Sequence, residues 1–189
     1  MDHYSEQELL SFGFGYLGKN VKVYKRAQLI NCKNIFLNDG CQIDDFTYLA
    51  GGGEIHIGKR CHIAAYTSII GGGKVIIDDY AGLSAGVRLV SGTDNFVGEA
   101  MVGPCVPIEY RLIDRSFIHI HKHAVLGTNC IVMPGIHINE GTAIGAGALI
   151  TKDTLPWSIY VGSPAKKIAE RKMDVIKAFE VDLINKYGY

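Results

Sequence analysis

Asp94 and Glu99 stand five residues apart in a stretch, residues 90–117, that breaks an otherwise regular chain and also holds Pro104, Pro107, Tyr110 and Arg111. An ordered loop of this length is usually functional rather than a mere connection. A second reading is open for Asp94: in the context Gly92-Thr93-Asp94-Asn95 its carboxylate can bond its own backbone and simply form a turn. Histidine is the other residue type suited to proton transfer near neutral pH. Ile118-His119-Ile120-His121-Lys122-His123 looks like a metal cluster. However, His56, His62, His119 and His137 each immediately precede an aliphatic residue of the inward series described below, so they face outward. His121 and His123 fall at corners. No three of these histidines have a spacing that assigns them to one site, and the sequence is read as holding no metal.

The elements that position these groups are set by a six-residue repeat. Ile120, Leu126, Val132, Ile138, Ile144 and Ile150 follow one another at steps of six, with Ala124, Cys130, Ile136, Thr142 and Ala148 two residues before each step. Neither a helical period of 3.6 nor strand alternation gives this spacing. It is the signature of a parallel β-helix in which each hexapeptide forms one side of a prism. The same step runs through Val23 and Leu29, then Leu37, Ile43 and Leu49, then Ile57, Ile63 and Ile69, then Ile77, Leu83 and Leu89, with a step of eight between groups. In these groups a coil is therefore three hexapeptides plus a two-residue corner extension, and Cys41 falls above Cys61 as Thr47 falls above Thr67, whereas from Ile120 to Ile138 the coil closes in 18 residues without the extension. Stacked coils lie about 4.8 Å apart.

The predicted class is all-β: a parallel β-helix with a short N-terminal helix and a C-terminal α-helix. Residues 1–19 are the helix and lead-in, with Ser5 and Glu8 in capping-box spacing inside a helix over 4–13. Residues 20–156 form the β-helix, interrupted by the loop 90–117. Residues 157–189 are an extension in which 168–186 read as an amphipathic helix with Val175, Ile176, Phe179 and Leu183 on one face. The 19 basic and 19 acidic residues cancel, and no basic stripe suggests nucleic acid. The polar start is unlike a secretory signal, and no apolar run is long enough for a membrane. The five cysteines include no CxxC pair, and Cys41, Cys61 and Cys130 occupy small inward positions. They read as reduced core filler in a cytoplasmic protein.

Val125-Leu126-Gly127-Thr128, Pro134-Gly135, Ile144-Gly145-Ala146-Gly147-Ala148, Thr151-Lys152-Asp153 and Val161-Gly162-Ser163-Pro164-Ala165-Lys166 resemble the hexapeptide-repeat acyltransferases. The branch closest in pattern holds galactoside and maltose acetyltransferases, and the resemblance covers about residues 20–171. It implies a left-handed coil, a homotrimer, and acetyl-CoA as co-substrate in a groove between neighbouring prisms. It also implies donor contacts at Gly127, Thr128 and Ala146 along the pantetheine arm, at Thr151 and Lys152 further along, and at Lys166 near the nucleotide phosphates. A lysine there suits a phosphate as a point charge. The family's second downstream basic residue falls at Ala169, where Arg171 is the nearest substitute.

Galactoside-type O-acetyltransferases carry a catalytic histidine where this chain has Asp94. A hydroxyl needs a base matched near neutral pH, whereas a carboxylate suffices to orient an amine and take its proton. The departure implies N-acetylation, and the Asp-containing turn resembles N-acetyltransferases of nucleotide-linked amino-deoxy sugars. A dTDP-linked 4-amino-4,6-dideoxyglucose, destined for surface polysaccharide, is the type of acceptor implied. Asp94 is then the first candidate base, with Glu99 next and with His62 and His123 in reserve, since a trimer groove admits a base from another coil. A galactoside-type O-acetyltransferase and a non-catalytic or carbonic-anhydrase-like prism are the competing readings.

Overall fold

The structure, a computed structural model, describes residues 2–188. Its strands form three parallel faces that follow one another around a prism. The first face stacks Tyr16–Leu17, Ile35–Leu37, Ile55–Ile57, Lys74–Ile77, Phe117–Ile120 and Ile136–Ile138. The second stacks Lys22–Val23, Gln42–Ile43, His62–Ile63, Gly82–Leu83, Val125–Leu126, Ala143–Ile144 and Ser158–Val161, and the third runs from Gln28–Ile30 to Leu149–Ile150. Registers are the ones the six-step pattern demands: Leu37 lies beside Ile57, Ile57 beside Ile77, Ile77 beside Ile120 and Ile120 beside Ile138. In-register parallel strands place like positions on top of one another, so the inward series becomes one continuous buried ladder. Each such side chain contributes roughly 1.5–3 kcal/mol relative to exposure, before entropy.

The small inward positions behave as the spacing implies. Cys41, Cys61 and Cys130 are buried, and burial pushes each thiol up to about 12, so all three stay protonated and unreactive. Thr47 and Thr67 sink their hydroxyls into the corners by donating to the carbonyls of Asp44 and Ser84. At the opposite corner Gly71 has φ +103°, and a Cβ there would strike the backbone of Gly92 on the next coil. Only glycine fits both demands.

The N-terminal helix α1 spans Glu6–Ser11 and carries the expected box: Glu8 N–H donates to Ser5 Oγ (3.3 Å) and Ser5 N–H to Glu8 Oε2 (2.7 Å). Its Leu9 is buried against the first coil.

The C-terminal reading needs correction. Residues 168–186 are not one helix. Lys166–Glu170 is a strand, antiparallel to Ser158–Val161, which itself extends the second face past Pro156 by pairing with Ala143–Ile144. The otherwise open end of the sheet offers this segment a ladder of backbone partners, and that outweighs its weak helical pattern. Helix α2 begins later, at Asp174, and runs to Tyr187 with no buried residue. Val175 and Phe179 point to solvent. What ties α2 down is polar: Glu180 pairs with Lys122 and His123, and Lys177 pairs with Glu140. No helix among the described residues is long and apolar enough to cross a membrane.

Candidate active site

The interrupted coil is where the chain leaves the prism, between Val90 of the third face and Phe117 of the first. Gly92–Asp94 and Ile113–Arg115 pair antiparallel and form the neck of the loop. Asp94 ends that neck. Its Oδ1 accepts two bonds from Arg111, from Nη2 at 2.7 Å and Nε at 3.2 Å, and its Oδ2 accepts the Gly103 N–H at 2.9 Å. The side chains of both ion-pair partners are mostly covered. The Gly103 amide, and then the Arg111 guanidinium, hold the Asp94 carboxyl below the usual aspartate range. Asp94 is therefore ionised at neutral pH and aimed by two fixed donors. The bonds of a bare turn, to its own neighbouring backbone, are not the ones it makes. Arg111, 17 residues away, was visible in the sequence only as one more loop residue.

Glu99 is exposed and tied to Asn95, whose Nδ2 donates to Glu99 Oε2 (3.1 Å) and whose Oδ1 accepts the Val97 and Glu99 N–H groups. Hollows open on both sides of Arg111. One, of about 210 Å³, is lined by Thr93, Asp94 and Arg115 with Gly71 and Gly92. The other, of about 630 Å³, is lined by Glu99, Glu109 and Tyr110.

The reserve histidines go elsewhere. His62 stands on the second face with Nε2 2.9 Å from Asp44 Oδ2. His123 does sit at a corner, with φ +60°, but it is buried rather than outward, stacked on Tyr80, with Nε2 2.8 Å from Glu180 Oε2 under helix α2. Among the described residues neither histidine bonds to Asp94 or Glu99. The structure instead brings together His119, His121 and His137, which the spacing had not united. Burial, followed by the neighbouring His119, lowers the pKa of His121.

The candidate donor residues are split between two edges of the prism. Gly127, Thr128 and Ala146 lie on the edge between the second and third faces, with Thr128 and Ala146 exposed. The Gly147 N–H donates to the Thr128 carbonyl, and a Cβ on Gly127 would approach the Ala146 amide to 2.6 Å. Ser84 sits one coil earlier on this edge, its N–H donating to the Leu126 carbonyl. Sequence reasoning passed over it, although the six-step register places it in line with Gly127. Thr151 and Lys152 follow the last strand of the third face, on the edge from which the loop also emerges, and both are exposed. Lys166 opens the terminal strand, next to Ala165, whose N–H donates to Leu149 of the third face.

A parallel β-helix of this kind is the architecture of hexapeptide-repeat acetyltransferases. The fold agrees: a maltose O-acetyltransferase from Clostridium difficile 630 superimposes with a TM-score of 0.56 at 21% identity, over 88% of this chain and 74% of that one. No family model matches the chain. A much stronger likeness is to the dTDP-4-amino-4,6-dideoxy-D-glucose acyltransferase of Escherichia coli, 39% identical over 178 residues, 94% of this chain and 93% of that protein. AntD, an N-acyltransferase from Bacillus cereus solved with dTDP and 3-hydroxybutyryl-CoA, superimposes over 100% of both chains with a TM-score of 0.93 at 34% identity. AntD has also been solved in D94N and S84A forms, the latter with dTDP-4-amino-4,6-dideoxyglucose and coenzyme A. The chain belongs to the dTDP-4-amino-4,6-dideoxyglucose acyltransferase family.

Proposed function

We propose that this chain transfers an acyl group, acetyl in the first instance, from its coenzyme A thioester to the 4-amine of dTDP-4-amino-4,6-dideoxyglucose. The observation that carries the reading is the likeness to the Escherichia coli acyltransferase along nearly the whole of both chains. AntD supports it further, because this chain superimposes on nearly the whole of that N-acyltransferase, solved with dTDP-4-amino-4,6-dideoxyglucose and coenzyme A.

In this reaction the neutral amine attacks the thioester carbonyl, the C–N bond forms, the C–S bond breaks, and coenzyme A leaves as a thiolate that takes up a proton. Asp94, held ionised by Gly103 and Arg111, accepts a hydrogen bond from the amine and receives its proton as the C–N bond forms. Glu99 stands five residues on and lines the wider hollow, where it suits the sugar rather than the reacting nitrogen. Positioning of two reactants can supply about 7–11 kcal/mol of a barrier of this kind. A backbone N–H near Gly127 or Thr128 serves the developing oxyanion, with the Ser84 hydroxyl beside it on the same edge.

The prism, residues 20–156, carries the donor, the loop 90–117 carries the acceptor chemistry, and the extension 157–189 supplies Lys166 for the phosphates. Because the donor residues lie on two different edges, one chain does not close a groove around coenzyme A. A homotrimer does, by setting the Gly127–Ala146 edge of one copy against the Asp94–Lys152 edge of the next. Reduced buried cysteines favour a cytoplasmic enzyme, and an N-acylated dTDP-sugar is a glycosyl donor suited to surface-polysaccharide assembly.

The test is thiol release from acetyl-CoA and 3-hydroxybutyryl-CoA with a panel of acceptors. Turnover with the dTDP-amino sugar, giving an amide, is expected. Turnover with simple galactosides alone would replace the reading with O-acetylation, and no release with any acceptor would leave a scaffold.

A further inference from the structure

The first face of the prism carries a group of side chains that acyl transfer does not use. His119 and His137 are in-register partners on neighbouring strands, so their positions repeat at one strand spacing, about 4.8 Å. His121 follows at the corner. Its ring stacks on His119 with centroids 3.7 Å apart, and its Nε2 lies 3.1 Å from His137 Nδ1. One nitrogen from each imidazole lies within 4.8 Å of the other two. Asp78, on the preceding coil, places Oδ2 2.9 Å from His119 Nε2 and 3.5 Å from His121 Nδ1.

We propose that His119, His121 and His137 form a site for one divalent transition-metal ion, Zn²⁺ in the first place, with Asp78 as the carboxylate that orients the imidazoles. Zinc binds imidazole nitrogen at about 2.0–2.1 Å, so two ligands of a tetrahedral ion stand roughly 3.3 Å apart. The His121–His137 pair already has nearly that separation, and the His119 nitrogen reaches it by a modest side-chain rotation. Three nitrogen ligands select zinc, nickel or copper over magnesium or calcium, which demand oxygen. A metal-bound histidine ordinarily leans its other nitrogen on a carboxylate, and Asp78 is in that place for His119. The three side chains are half-buried, so a fourth position remains open to water. Two of the ligands stand on adjacent strands, so an ion here clamps successive coils. The site lies off the Gly127–Ala146 edge and does not depend on what the enzyme acylates.

The experiment uses the full-length chain without an affinity tag, stripped with a chelator. Zinc titration by calorimetry should saturate at one ion per chain at micromolar metal and raise the unfolding temperature, since an ion that binds only the folded state stabilises it. X-ray absorption of the zinc-loaded protein should show imidazole nitrogens at about 2.0 Å. His137→Gln and His121→Ala should abolish stoichiometric binding, Asp78→Asn should weaken it roughly 10–100-fold, and His56→Ala, on the same face, should leave it unchanged. Magnesium and calcium should not compete. Absence of saturable binding by the wild-type chain overturns the proposal, as does binding that survives His137→Gln or is lost equally in His56→Ala. Should a histidine variant fail to fold, the absorption spectrum of the wild-type protein and the Asp78→Asn titration decide the matter.

Discussion

The prism and the loop 90–117 belong to one chain but are held together by different physics. In the prism every sixth side chain points inward, and its neighbours are the same positions one coil away, as in Leu83 between Ile63 and Leu126. Burial is collective there, and a single residue is specified mainly by being apolar and the right size. In the loop the structure rests on individual polar contacts: Asp94 with Arg111 and Gly103, Asn95 with Glu99. Large apolar side chains such as Phe96 and Val97 are left to solvent. The prism is thus a repetitive carrier tolerant of conservative change. The loop depends instead on a few individual bonds, so the role proposed for Asp94 can be tried by a substitution that leaves the core in place.

The comparison breaks most visibly at Ile63. Ile63→Asp should give no soluble folded protein, because it places an unpaired carboxylate within the ladder; far-ultraviolet circular dichroism and soluble yield measure this, and a folded variant would deny the ladder its role. In the loop, Asp94→Asn should leave the prism folded, with a melting temperature lowered only by the loss of the Arg111 ion pair in the neck, while lowering kcat by roughly 10²–10⁴. Near-normal turnover would remove Asp94 from the chemistry.

A finer contrast concerns pH. The Gly103 amide and Arg111 lower the pKa of Asp94, so the carboxylate form is present above that depressed value and is lost only as pH falls through it. The stabilisation that the ion pair lends to the loop neck follows the same sign, present above the unfolded pKa and lost on acidification. Arg111→Met removes the second of these two causes. It should move the acidic limb of the kcat/KM profile upward, and an unmoved limb would show that Asp94 does not set it. The smallest effect is expected at Phe96, 83% exposed in the single chain: Phe96→Ser should alter urea unfolding by no more than about 0.5 kcal/mol, whatever it does to acceptor KM.

The same contrast explains what could be read from the sequence. The prism was legible because its rule is local: a step of six, a step of eight at extended corners, and glycine where coils crowd. That register also set the candidate residues Gly127, Thr128 and Ala146 along one edge. The Asp94–Arg111 pair was not legible, since its members stand 17 positions apart in a loop without periodicity. His119 and His137 lie one 18-residue coil apart, so the register did contain their alignment. What hid the cluster was His121 turning back at the corner, and Asp78, 41 residues before His119, being returned to it only after the loop. The C-terminal hairpin was missed for another reason. Residues 168–170 carry a pattern that also suits a helix, and only the unpaired end of the second face decides between the two.

In the proposed assembly the loop of one copy and the Gly127–Ala146 edge of another complete a single site. Subunit complementation tests it directly. Asp94→Asn protein and an Ala146→Trp protein, whose bulky ring obstructs the exposed donor edge, should each be nearly inactive with dTDP-4-amino-4,6-dideoxyglucose and acetyl-CoA. Mixed by denaturation and refolding, the two should regain a substantial fraction of wild-type turnover, because some interfaces then pair an intact Asp94 with an intact edge. Mixed assemblies that form but stay as inactive as their parents would contradict the account, since they would show that both groups must come from one chain.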